Sequence, residues 1–498
     1  MEPAMKQTNV MNTQEQQTQQ PLKLIPLIVA IFMGNFLSLL NSNTINIALP
    51  VLQKEFATNL SVVQWTLTGF MLALGTFAPT AGYFGERFSY KRLYIFALFG
   101  VTVASVLCAL SWNAPMLITF RIIQGAFCGI IVPASMTMIF QIIPRHQQSV
   151  AMSIWIASSI VAPAIGPSYA GWLIQHGSWT WIFWTNVPLG LLAIVVAVFF
   201  IPYYRLKVPK GFDVWGLLTV IAASSLLLIT LSQGSVWGWG SANTLLCLGG
   251  GLLALTLFLW REMSIESPLL QLKVFLNRRF TLTVILLCIV MINFFSGMLL
   301  VPVYLQNVQG HSPLDTGIIL LPSTLAMAIM SLVVGRLYKV VGPKPLLFVG
   351  VLLMIVGNLP LAWLQVDSSS AYTLLWMTIR SLGLALVLMP ATTAGMEEIT
   401  HEYIGHASSI QNWLRNVFVS FGVALFTTLL SSRTAVHAAR LKEDAGPNLV
   451  HLSTTMGIND LNILSTLIVV LALPFVFAIR SKRKKERAMD GALSDPLR

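Results

Sequence analysis

Two short stretches decide how this chain folds. "GYFGERFSYKR" occupies Gly82–Arg92 and "GRLYKVVGPKP" occupies Gly335–Pro345. Each follows a long apolar stretch, opens on glycine and carries a lysine nine residues later, Lys91 or Lys344. A second pair repeats the relationship. "RIIQGAFCGIIVPAS" begins at Arg121 and "RSLGLALVLMPAT" begins at Arg380. Both place an arginine early in an apolar stretch, a glycine soon after, and Pro-Ala-Ser/Thr near the far end. An internal duplication of this kind implies two similar halves with a site between them near mid-membrane.

Composition agrees with a membrane setting. Hydrophobic residues make up 56% of the chain, charged residues 10%, and mean hydropathy is +0.76. A soluble domain would carry about 25% charged residues. Apolar stretches of spanning length, about 20 residues each, recur about fourteen times between residues 24 and 479. The expected fold class is therefore an all-α membrane protein. A transmembrane barrel is excluded, because it would show alternating strands of about ten residues. The net charge of +12 is read as topology and not as nucleic-acid binding. The outer loops hold only Lys54, Arg433, Arg440 and Lys442, while the other loops are rich in Lys/Arg. By the positive-inside rule both termini are cytoplasmic and the protein is multi-pass in the cell membrane. The tail "RSKRKKER" (Arg480–Arg487) continues that signal.

The repeat relates spans 1–6 to spans 9–14. The expected organisation is a disordered, Gln/Thr-rich cytoplasmic N-terminus (1–22), a six-helix half (23–203), a two-helix insert (204–262), a second six-helix half (263–480) and a basic tail (481–498). No phosphate-binding loop of the G-x-x-x-x-G-K-[ST] type occurs, so transport would draw on an ion gradient or a partner. Cys108, Cys128, Cys247 and Cys288 stand singly in apolar runs, without metal or redox spacing. No cofactor or metal is expected, and no nucleophile–base set suggests an enzyme.

"GYFGERFSYKR" resembles the cytoplasmic loop motif of the major facilitator superfamily, G-x-x-x-D-R-x-G-R-[KR]. Gly82, Arg87, Lys91 and Arg92 fit, Glu86 stands for the usual Asp, and Ser89 for the usual Gly. The resemblance implies a cytoplasmic latch whose acid faces a helix N-terminus, which helix-dipole stabilisation favours. "APAIGPSYAGWL" (Ala162–Leu173) resembles the fifth-span antiporter motif through Gly166, Pro167 and Gly171. Pro163 and Pro167 each remove a backbone donor and bend a helix. "WTWIFWTNVPLG" (Trp179–Gly190) and "LLVPVYLQNVQGHSPLDTGIILLPS" (Leu299–Ser323) look like regions of the 14-span drug:proton antiporters of the QacA/EmrB kind. Trp179, Trp181 and Trp184 read as an interfacial aromatic belt. The resemblance implies the major-facilitator fold: two pseudo-symmetric six-helix halves plus a two-helix insert.

Polar side chains inside spans should face the bundle interior. In the first span Asn35, Ser38, Ser42 and Asn46 fall within an arc of about 80°, with Asn41 beside it. In the ninth, Asn293 sits among aromatic and Met residues, and in the thirteenth Gln411/Arg415 and Asn412/Asn416 share a face at i, i+4 spacing. These ten are the expected substrate-cavity residues, with interhelical hydrogen bonding as the competing reading for each amide. Arg121, with Gln124 and Gly125, matches the family's R-x-x-Q-G motif, which implies a role in proton coupling. Either Arg121 or its repeat mate Arg380 could lie close enough to an interface to snorkel, Arg380 ahead of Arg121.

A proton antiporter needs a group that titrates during its cycle. The resemblance places an acid in the first span, at the position that Asn41 occupies. No carboxylate lies clearly mid-span. Coupling would then fall to an edge residue, Glu86, Glu397, Glu398 or Asp315, or to the substrate's own proton. With cationic Arg415 and no central acid, the cavity should disfavour dicationic drugs. The expected function is export of amphipathic small molecules by alternating access in exchange for protons, by a monomer in a lipid bilayer. The alternatives are a dedicated exporter of a metabolite, antibiotic or lipid without proton coupling, and a non-transporting sensor or scaffold.

Overall fold

All regular structure among the described residues is helical. The structure, a computed structural model, describes residues 24–204, 213–265, 268–441 and 448–479. The expected disordered N-terminus and basic tail lie outside them. The spanning helices are α1 (Leu24–Glu55), α2 (Trp65–Phe77), α3 (Tyr90–Ala109), α4 (Ala114–Ile142), α5 (Arg145–His176), α6 (Asn186–Phe200), α7 (Val214–Trp237), α8 (Ala242–Ser264), α9 (Arg278–Val303), α10 (Pro313–Val341), α11 (Pro343–Asn358), α12 (Ser370–Met396), α13 (Ile404–Leu441) and α14 (Leu449–Val470). Thirteen helical segments among the described residues are long and apolar enough to cross a membrane, and α2 is the shorter apolar helix that accompanies them.

The second span is expected as one stretch and is instead broken. α2 ends before Ala78–Pro79, and a short helix, Thr80–Phe88, resumes it. Pro79 cannot donate to the preceding turn, and the Thr80 hydroxyl donates to the Phe77 carbonyl at 2.7 Å. The helix then stops at Ser89, which holds φ +80°. In the second half the matching position is Gly342, at φ +82°. Glycine takes this left-handed conformation without cost, whereas a residue with a Cβ is strained there.

The repeat extends to details of packing. Lys91, opening α3, donates to the Val198 carbonyl near the end of α6 at 2.7 Å. Lys344, opening α11, donates to the Phe477 carbonyl beyond α14 at 3.0 Å. Each lysine satisfies a carbonyl that a helix end leaves unpaired. Glycines let α2 and α4 touch. Gly125 and Gly129 lie directly against the main chain of Phe70 and Leu74, where any side chain would collide. Such contact is how helices associate where lipid removes the hydrophobic drive.

The halves meet where α5 packs on α10, where α13 packs on α4, and where α13 packs on the Thr80–Phe88 helix. The insert is a hairpin, α7 on α8, tied at one end by the Asp213–Arg261 ion pair at 2.6 Å. α7 lies against both α2 and α13. Ser224 accepts from the Trp413 indole at 2.8 Å, and Ser225 pairs with Thr76 at 3.3 Å. The insert therefore spans one seam between the halves. The sequence placed it in the chain but gave no sign of this position.

Candidate functional site

A cavity of about 820 Å³ lies between the halves. Its wall comes from α1, α2, α4 and α5, from α9, α10, α12 and α13, and from Leu228, Leu231, Ser232 and Ser235 of the insert. That is room for a drug-sized ligand. Most of the wall is apolar, with Met71, Met291, Met298, Met327, Phe294 and Phe295 among its larger side chains. Such surfaces can repack around varied ligands.

Six of the ten expected cavity residues line it: Ser42, Asn46, Gln411, Asn412, Arg415 and Asn416. Helical periodicity aligns the four on α13 into one stripe. The other four are seated between helices, which corrects the expectation for them. Asn35 donates to Ser158 at 2.7 Å and to Ser159 at 2.9 Å, and so joins α1 to α5. Ser38 donates to the Cys128 carbonyl at 3.2 Å. The Asn41 oxygen accepts from Asn186 at 2.7 Å and from Gln124 at 3.2 Å. Asn293 donates to Ser465 at 2.6 Å. A buried amide costs free energy unless it is bonded. Neighbouring helices supply each of the four with at least one partner.

Arg121 is the centre of the Asn41 cluster. It is fully buried and has no carboxylate among its hydrogen-bond partners. Its guanidinium donates to the Thr66 carbonyl at 3.2 Å, to Gln124 Oε1 at 2.6 Å and to the Asn41 carbonyl at 3.0 Å. It also stacks over the Phe70 ring at 4.1 Å. Asn186, from the quoted "WTNVPLG", is the hub that the sequence reading passed over as part of an anchoring string. Trp179 in that same string is buried against Phe56 and Phe183, so only Trp181 and Trp184 are exposed as a belt requires.

Arg380 does not snorkel. It is buried, lines the cavity and donates to the Asn293 carbonyl, with further donation to Asn293 Oδ1 at 3.3 Å. Its partners are the main-chain and side-chain oxygens of α9. Arg415 behaves differently. It makes no hydrogen bond to another described residue and lies 6.0 Å from the Trp155 ring of α5.

Gly82 lies against the main chain of Gly405, and Gly405 against the Tyr90 hydroxyl. Beside them Glu86 meets His406 Nε2 at 3.0 Å, and both are buried. Gln141 and His401 exchange contacts at 3.0 and 3.4 Å. The halves are thus joined at the end that carries the Gly82–Arg92 loop. His406 escaped the sequence reading because a single histidine at a helix start carries no motif. Of the loop's basic residues, Arg87 donates to Tyr83 at 3.1 Å and Arg92 lies 5.0 Å from the Tyr203 ring.

The remaining coupling candidates sit in ordinary structural contacts. Arg279 bridges Glu397 at 3.3 Å and Glu398 at 3.0 Å, and Tyr338 donates to Glu397 at 2.8 Å. Asp315 is exposed at the start of α10 and accepts from the Ser312 cap at 2.7 Å. Pro163, Gly166, Pro167 and Gly171 all lie within the unbroken α5, and Pro163 faces the cavity.

Residues 31–423 match the Major Facilitator Superfamily. The chain belongs to that superfamily. It is 32% identical to the tetracenomycin C resistance and export protein of Streptomyces glaucescens, over 82% of this chain and 76% of that one. It is 28% identical to the lincomycin resistance protein LmrB of Listeria monocytogenes, over 89% and 93% of the two chains. Among solved structures, the human organic anion transporter MFSD10 superposes with a TM-score of 0.61 at 14% identity, over 91% of this chain and 100% of that one. That likeness shows the fold alone. The fold is the major-facilitator fold, and the protein is a superfamily transporter and not an enzyme. Its relatives include proteins named for antibiotic resistance and export.

Proposed function

We propose that this transporter exports amphipathic small molecules across the cell membrane by alternating access, with both termini cytoplasmic and the Gly82–Arg92 loop on the cytoplasmic side. One observation carries the reading: a large, mostly apolar cavity lies between halves whose polar cross-contacts gather at the latch end. Resistance and export proteins among the relatives support the direction of transport.

Proton exchange is assigned to the latch. Glu86 and His406 form an ionisable pair between the halves, where a change of protonation alters the attraction that closes that end. Arg121 serves by holding α1, α2 and α4 together. Accumulation of a fluorescent amphipath in inverted vesicles tests this. Uptake should require an imposed pH gradient, and E86Q and H406Q should remove that requirement while leaving the protein folded. If both variants stay fully gradient-dependent, the assignment to the latch fails.

The absence of any carboxylate from the Asn41–Arg121 cluster favours a second reading, a carrier without proton exchange. A charged substrate would then follow the membrane potential, worth about 2.3 kcal/mol per charge per 100 mV. Uptake driven by potential alone at equal pH would establish it.

A further inference from the structure

We infer that the cavity takes an amphipathic monoanion, a carboxylate or sulfonate on an apolar body, whose acidic group is held by Arg415; this rests on the transport reading above. Among the described residues lining the cavity, the charged ones are Arg380 and Arg415, and none is acidic. The two arginines are not equivalent. Arg380 has spent its donors on Asn293, and its positive charge is spread into main-chain carbonyls. Arg415 has no hydrogen-bonded partner among the described residues, so its planar fork of donors is open to the cavity.

Its surroundings complete a site. The Trp155 ring lies 6.0 Å from the guanidinium carbon, at cation–π range, and leaves the guanidinium fork free for a bidentate acceptor. The Trp155 indole donates to Ser135 at 2.8 Å. Its helix is held to α1 through Asn35. The ring is therefore fixed before any ligand arrives. Asn412 and Asn416, on the same face of α13, add neutral polar groups. A half-buried cation without an acid beside it is costly in a largely apolar wall, and an anion relieves that cost while a cation adds to it.

Three probes with one scaffold separate charge from shape: 1-pyrenebutanoate, 1-pyrenebutanol and 1-pyrenebutylammonium. Binding to the purified full chain is read by energy transfer from tryptophan. Wild type should bind the butanoate at least about tenfold more tightly than the ammonium, the scale of one charge-assisted contact. R415Q should lose about tenfold for the butanoate and stay within about twofold for the alcohol. Equal affinity for all probes, preference for the ammonium, or a uniform loss in R415Q overturns the assignment. Should R415Q fail to fold, R415K carries the test. It keeps the positive charge and should keep the anion first, and an R415K protein favouring the ammonium also overturns it. Proteoliposome uptake stands apart. A wild type that binds the anion yet moves no probe refutes the transport reading and leaves the anion site standing.

Discussion

The loops Gly82–Arg92 and Gly335–Pro345 share a backbone and differ in chemistry. Both end a helix at a left-handed residue, Ser89 or Gly342. Both then send a lysine to the last carbonyls of a neighbouring helix. Both open on a glycine pressed against the opposite half, Gly82 on Gly405 and Gly335 on Ser153 of α5. Four residues after that glycine they part company. The first loop places Glu86 there, buried against His406. The second places Lys339, which is exposed. Geometry was duplicated and the Glu86–His406 contact was not. Under the proposed alternating access, shape would serve closure at both loops and a polar pair at only one.

The largest effect should come from the shared geometry. Gly82→Val drives a side chain into the Gly405 backbone, and overpacking of this kind costs about 1–3 kcal/mol. The state closed at that end should become roughly 10- to 100-fold rarer. A cysteine reporter in the cavity, labelled from the latch side, would show it as faster modification. Gly335→Val should act in the same direction, and an inert Gly335→Val would break the symmetry argued here.

Next comes the unshared charge. E86Q leaves His406 facing an amide and should weaken the latch by about 1–3 kcal/mol. K339Q, at the matching place, should stay within about 0.5 kcal/mol. Thermal unfolding in detergent and the same labelling assay measure both. Equal responses from the two variants would mean that charge plays no special part in the first loop.

Ser89 and Gly342 give a subtler pair. S89G relieves a left-handed Cβ and removes a buried hydroxyl without a partner, so it should stabilise by about 1 kcal/mol. G342A should destabilise by about as much. The last variant, N41D, acts on transport more than on stability. Its new carboxylate would face the Gln124 and Asn186 donors already present, with Arg121 one contact away. We expect a shift below about 1 kcal/mol and a stronger response of transport to the pH gradient. No change in that response would count against Asn41 as the reason for weak or absent coupling through α1.

Much of this was legible in the sequence. Apolar length marked the spans, because lipid requires each to satisfy its own backbone. The Gly and Lys spacings marked the duplication. Side-chain placement was less legible. Periodicity put Asn35, Ser38 and Asn41 on an inward face, and they do point inward, but toward neighbouring helices. An inward face meets both cavity and helix, and a wheel cannot tell one from the other. Arg380 was expected at an interface for the same reason. Its distance from water could be counted along the helix, but the Asn293 carbonyl belongs to α9.

The sequence by itself determined that the chain spans a membrane many times, that it is built from two related halves, and that its first span has no acid in its middle. These are local properties, set by composition and spacing along one strand of chain. Only the tertiary structure decided that Arg121 is enclosed while Arg415 faces the cavity. It also decided that Glu86 meets His406, and that the insert closes a seam and lines the cavity. Each of those facts depends on partners contributed by other helices. The strength of a buried charge is fixed by what surrounds it, and the surroundings exist only after the helices have packed.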